Sequence, residues 1–149
     1  MELKNILDPR IVDLKMNSKT KDEALYHLSH LLKEAGYIDD CKQFVDDIYL
    51  REKEGMTGIG SYIAIPHGKS ESVHNVGIAI GKLDHEIEWE TLDDLGVKII
   101  FLFAVSNNND YAQTHLGLLA QIAGKLGNDQ AIKALQKVKT FDELVSVFM

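Results

Sequence analysis

Residues 97–105, Val-Lys-Ile-Ile-Phe-Leu-Phe-Ala-Val, are apolar at every position except Lys98. A short run of Ile, Phe, Leu and Val reads as a β-strand buried on both faces. Such a strand needs covering layers above and below it, and the rest of the chain offers helices for them. A helix is expected from Ser18 or Lys19 to Ala35, with Ala24, Leu25, Leu28, Leu31, Leu32 and Ala35 as its apolar stripe. Gly36 stands where its C-terminal cap belongs. A second helix starts at Asp39 or Asp40, turns Phe44, Val45 and Ile48 inward, and runs to about Glu54. Two more are expected from Tyr111 to Leu126 and from Asp129 to Val138, and Thr140 caps a last one.

Further strands complete the pattern. Residues 11–16 alternate and read as a short strand, residues 76–81 (VGIAIG) as another, and residues 86–89 (EIEW) as a third. Residues 57–61 (TGIGS) read as a glycine-rich turn, and residues 107–110 (NNND) as a loop and helix start. Residues 62–66 (YIAIP) are extended, because Pro66 drives Ile65 into the β region. The expected architecture is α/β: a mixed, mostly parallel central sheet with helices packed on both faces, in a single domain over residues 1–149.

Composition narrows the functional classes. The net charge is −7, which argues against nucleic-acid binding and suits docking onto something basic. Cys41 is the one cysteine, so no internal disulfide is possible, which fits a reducing cytoplasm. The N-terminus is charged from residue 2 and does not read as a signal peptide, and residues 99–105 are far too few to span a bilayer. Met1 and complete helix punctuation lead us to expect a whole unit.

Residues 51–68 (REKEGMTGIGSYIAIPHG) hold the most chemical information. His67 follows an apolar extended stretch and Pro66, which puts an imidazole in a loop on a rigid stem. Gly68 is expected to leave room for a group to approach the ring. Imidazole is a good nucleophile near neutral pH. A phosphoryl group placed there would bring about two negative charges that need donors. Arg51 can supply a fork of N–H groups, and Thr57, Gly58 and Gly60 can supply backbone N–H groups. His115, near the start of the helix at 111–126 and bordering its apolar stripe, can place a second imidazole over the site. The residues alone also permit blander readings: a loop histidine, a solvated helix-end arginine, a packed histidine.

Other patterns fail. Gly68-Lys69-Ser70 resembles the end of a phosphate-binding loop, but Ile63 occupies the required first glycine. Ile63 also stands where the third glycine of a dinucleotide fingerprint would follow Gly58 and Gly60. His27 and His30 lie one helical turn apart without a clear further ligand, so no metal is expected. His74 and His85 read as surface residues, and Trp89 as core or rim. Cys41 follows two aspartates, which raise a thiol pKa and make it a poor nucleophile.

Taken in order, Arg51-Glu52, Thr57-Gly58-Ile59-Gly60 and Ile63-Ala64-Ile65-Pro66-His67-Gly68 resemble the signature of enzyme IIA domains of the bacterial phosphoenolpyruvate-dependent sugar phosphotransferase system. The likeness is to the fructose/mannitol/nitrogen-regulatory family, and it extends to the ILDPRIVDL start, Gly36-Tyr37, the FLFAV strand and the HLGLLAQIA helix. It implies that His67 is the phosphorylated residue, with Arg51 and His115 as its partners. It implies a phosphoryl donor, the small carrier HPr, and an acceptor, a cysteine of enzyme IIB. The membrane-embedded IIC would phosphorylate the sugar later, and this relay needs no metal, nucleotide or other cofactor.

Tyr62 departs from the family, which often has glycine there; strand geometry is expected to tolerate it. Met56, Ile59 and Tyr62 are expected on the docking rim around His67. Residues 68–73 (GKSESV) lean toward fructose-type domains. The alternative is a regulatory module of the nitrogen branch, whose phosphorylation state controls binding to partner proteins. A hydrolase using Cys41 or a histidine pair has little support.

Overall fold

The computed structural model describes residues 7–107 and 112–148, with the side chains of residues 112–116 outside the description. The apolar run forms β6, Val97–Ser106, the spine of a mixed sheet. Its antiparallel neighbour is β5, Gly77–Ile87. The strands expected at 76–81 and 86–89 are therefore one strand, with an irregularity between Lys82 and Ile87. The polar stretch Asp84-His85-Glu86 hid this continuity, because that part of β5 is largely solvent-facing. β1 is reduced to Val12–Asp13, parallel to β5. It stops where the Asp13 carboxylate accepts the N–H of Lys15, a local bond that competes with strand pairing.

The other edge of β6 is lined by β3, Ile63–Ala64, and β4, His67–Ser70, both parallel to it. Ile63 lies opposite Ile99 and His67 opposite Phe103, so the register is the same on both sides of Pro66. β3 and β4 are one extended run, interrupted where proline has no N–H to give the ladder. The Ile65 N–H turns the other way, to the Thr57 carbonyl at 2.9 Å. β2, Gly58–Gly60, pairs antiparallel with β3. The sheet runs β1-β5-β6-β3-β2, with β4 on β6 off that path. Mixed pairing is as expected, although its longest pairing is the antiparallel one.

Helices cover both faces, as expected. α1, Lys21–Glu34, and α2, Cys41–Glu52, close one core with Ala79, Leu83, Ile100, Leu102 and Ala104. α3, Ala112–Leu126, α4, Asp129–Lys137, and α5, Phe141–Val147, close the other with Ile78, Ile80, Ile99, Phe101 and Phe103. The capping side chains explain the starts: Thr20 accepts from Glu23, Asp40 from Gln43 and Thr140 from Glu143. Gly36, at φ +85°, ends α1. Among the described residues no helix is long and apolar enough to cross a membrane.

The TGIGS segment is not a turn. Its glycines form β2, and the turn is one step later, at Ser61 and Tyr62, with φ +57° and +67°. Both central residues of a two-residue hairpin lie in the left-handed region, as primed turns require. This corrects our reading of position 62 as a strand position: it is a turn position, in the conformation that glycine adopts most easily. Tyr62 is held there by Lys98, whose ammonium lies 4.8 Å from the ring centroid, and by two β6 N–H groups on its carbonyl. Tyr62→Val, with a branched Cβ in this conformation, is expected to cost about 1–2 kcal/mol in urea unfolding. Tyr62→Gly should stay close to wild type, since relief of about 1–2 kcal/mol is set against a lost cation–π contact of roughly 0.5–1 kcal/mol.

The candidate phosphoryl site at His67

His67 opens β4 at the edge of β6. Its backbone is fixed from both sides: Pro66 presets the approach, and the Pro66 carbonyl accepts the Phe103 N–H at 2.9 Å. The imidazole lies flat on the Phe103 ring, with centroids 5.1 Å apart and planes 14° from parallel. The residue is 9% exposed, so one side of the ring system is dry and only a small part meets solvent. An imidazole held this way has little rotational freedom left to lose.

Strand alternation puts Gly68 on the other face. A Cβ there would stand 2.3 Å from Cε1 of Phe44 on α2. The expectation that Gly68 leaves room beside the imidazole is thus corrected. Its missing side chain is filled by Phe44, which locks α2 onto β4.

The end of α2 is tied to the same stem. The Thr57 hydroxyl donates to the Glu52 carboxylate, which also accepts from Lys21 Nζ at 3.2 Å. Lys21 reaches on to Glu90 at 2.7 Å and lies over the Trp89 ring at 4.8 Å. Through the Thr57 carbonyl and Ile65 N–H, this network fixes the residues just before Pro66. Sequence reading named Glu52 without giving it a role and missed Lys21. The only clue was an acidic residue beside Arg51.

Arg51 is the residue before Glu52 on α2. Its Nη1 donates to the Gly55 carbonyl at a long 3.3 Å, and its Nε is 3.9 Å from the exposed Glu54 carboxylate. Among its described contacts Arg51 engages its own helix end, not His67. Gly58 lies against Thr91 and Glu90, and Gly60, at φ +95°, against Asp93. α3, which carries His115, packs Leu118 and Ile122 on the same face as Phe103. The His115 side chain lies outside the described residues, as do residues 108–110 of the loop read at 107–110.

The expected docking rim divides. Met56 is exposed beside Thr57. Ile59 packs against the core. Tyr62 is at the other end of β6, its carbonyl on the Lys98 and Ile99 N–H groups while His67 faces Phe103. Four to five residues of strand separate them, about 15 Å.

The remaining candidates have local partners. His27 meets Asp13 at 2.7 Å, and His74 pairs with Asp39. His85 pairs with Asp84 at 2.7 Å and with the Ser18 carbonyl at 2.8 Å. Cys41 Sγ is 3.6 Å from His30 Nδ1, and burial, more than the nearby Asp40, pushes its thiol upward.

Comparison with known proteins places nearly the whole chain in one family. The family model described as phosphoenolpyruvate-dependent sugar phosphotransferase system, EIIA 2, matches residues 5–149. The nitrogen regulatory protein of Klebsiella oxytoca is 31% identical over 99% of this chain and 90% of its own length. The fructose-specific EIIABC component of Bacillus subtilis is 29% identical over 99% of the chain, which spans only 23% of that protein. In structure, nitrogen regulatory protein IIA-Ntr from Neisseria meningitidis superposes with a TM-score of 0.87, at 25% identity and over 99% of each chain. A match that runs through the His67 segment and nearly the whole chain leaves one assignment: the protein belongs to the EIIA 2 family of the phosphoenolpyruvate-dependent sugar phosphotransferase system.

Proposed function

We propose that the chain is a cytoplasmic phosphocarrier that takes a phosphoryl group from phospho-HPr onto His67 and passes it to a cysteine of an enzyme IIB. The observation that carries this reading is the imidazole stacked on Phe103 behind a proline-interrupted strand, in a chain of this family. The bond from phosphorus to the donor's histidine breaks as the bond to His67 forms. The incoming charge is met by Arg51, by His115 from α3, and by backbone N–H groups of the Thr57, Gly58 and Gly60 segment. Leu50 and Met56, both exposed and flanking Arg51 in sequence, offer apolar ground for a weak, short-lived carrier contact.

In this reading Arg51 has a definite task. Its guanidinium is held only by one long bond to a carbonyl and a stretched contact with the exposed Glu54 carboxylate, so it can swing to phosphate oxygens at little cost. Arg51→Ala should slow transfer from phospho-HPr by about 10²- to 10³-fold, the usual effect of losing one preorganised donor. Arg51→Lys should recover part of the rate, since an ammonium keeps the charge but not the fork. Single-turnover transfer followed by intact mass measures both, and a wild-type rate in the alanine variant removes Arg51 from the mechanism.

A second reading is favoured by the near-complete superposition on IIA-Ntr. Here the same phosphohistidine is a signal, and the phosphorylation state decides which protein is bound. Sugar transport, with a fructose-type lean, predicts that the phosphorylated chain discharges to an enzyme IIB. The regulatory reading predicts no discharge, and a partner captured by only one phosphorylation state.

A further inference from the structure

At the end of the sheet away from His67 there is a cleft of about 810 Å³ whose charge opposes that of the whole chain. Lys15 after β1, Lys82 on β5, Lys98 on β6 and Lys139 after α4 all line it, in a protein of net charge −7. Asp84 is the one carboxylate in its wall, and that side chain is turned outward onto His85 at 2.7 Å. Among the described residues none of the four lysines pairs with a carboxylate. Lys82 is anchored by the Gln136 and Val138 carbonyls at the end of α4, at 2.8 and 2.6 Å, which leaves one ammonium N–H for another acceptor. Lys98 is steadied over the Tyr62 ring. Burial first, and then the charge of Lys139, push the Lys82 ammonium below its ordinary value, with Glu143 opposing. The cations therefore act on one another, and a cleft concentrates their field.

We propose that this cleft is a second binding site, for a small organic phosphate carrying at least two negative charges. Ammonium groups bind phosphate as point charges, without the paired geometry that carboxylate recognition by arginine uses. The volume lies within the roughly 300–1,000 Å³ of small-molecule sites. Leu14 and Val138 give the walls an apolar part, suited to the body of an ester rather than to a bare ion. The site is about 15 Å of strand from His67, so ligand and phosphohistidine can be held at once.

The test is an amide-resonance titration of the full chain with AMP, pyrophosphate, inorganic phosphate and an oligoglutamate peptide. AMP should shift residues around Lys15, Lys82, Lys98 and Lys139 saturably at millimolar concentration, with inorganic phosphate weaker on the same residues. The K98Q/K139Q variant should weaken AMP by about tenfold or more while still accepting a phosphoryl group at the wild-type rate. Added salt should weaken it further. Unfolding measured alongside establishes that the variant is folded. Binding should persist in His67→Ala, which separates this proposal from the phosphocarrier reading. The proposal is overturned by an absence of saturable shifts with AMP and pyrophosphate, by equal binding in the variant, or by a response to oligoglutamate alone. The last would make the cleft a dock for an acidic protein segment.

Discussion

His67→Ala, given phosphoenolpyruvate, enzyme I and HPr, should gain no phosphoryl mass, while the wild type gains one group that acid removes. The expectation rests on the stack with Phe103 and on the fixed stem, which present this imidazole at the end of an interrupted strand. The variant loses a buried ring contact worth roughly 0.5–1.5 kcal/mol, too little to unfold a domain of ordinary stability. Its circular dichroism should therefore match the wild type, and the loss can be assigned to chemistry. If His67→Ala still takes up an acid-labile group at an undiminished rate, the acceptor is another histidine, and His115 is the next to replace.

Phe44→Ala should give the largest loss of stability, about 3–5 kcal/mol in urea unfolding. Its ring is fully buried and lies where a side chain on Gly68 would be. Gly68→Ala alone should cost roughly 1–3 kcal/mol by overpacking, because ring atoms at 2.3 Å from the new methyl must move. Combined with Phe44→Ala, the same methyl enters the space the ring left. The double variant should thus lose clearly less than the two single losses added together. Simple additivity would mean that Phe44 and Gly68 are not in the contact described. The folded fraction of Phe44→Ala should still accept phosphate, since His67 projects from the other face.

Both expectations depend on how far the sequence was legible. β6 could be read because both its faces are buried, so no polar residue interrupts it beyond Lys98. The helix starts could be read because Asp40 and Thr140 act locally, within three residues. What failed was non-local or atypical. β5 looked like two strands because in its second half only Leu83 and Ile87 are buried, with Asp84, His85 and Glu86 between them facing out. The hairpin tip was hidden because Ser61-Tyr62 is not the Asn-Gly pair such turns favour, and the cost is carried by contacts to Lys98, Asp93 and Gln136. At the site, Pro66-His67-Gly68 pointed to the candidate imidazole. Its supports did not announce themselves, since Phe103 and Phe44 are distant in sequence and meet His67 and Gly68 only through sheet register. The Lys21–Glu52–Thr57 network spans three elements and leaves no periodic trace.

The unbroken register across Pro66 also constrains how this protein can vary. From the hairpin tip to His67 the chain advances in step with β6, and successive side chains alternate between two unlike interiors. Inserting or deleting a single residue between Tyr62 and His67 would swing the imidazole to the α2 side, into the volume of Phe44, and bring its neighbour out in its place. Substitutions there can be absorbed one at a time, but a change of length cannot. In this stretch the number of residues matters to the site as much as their kinds.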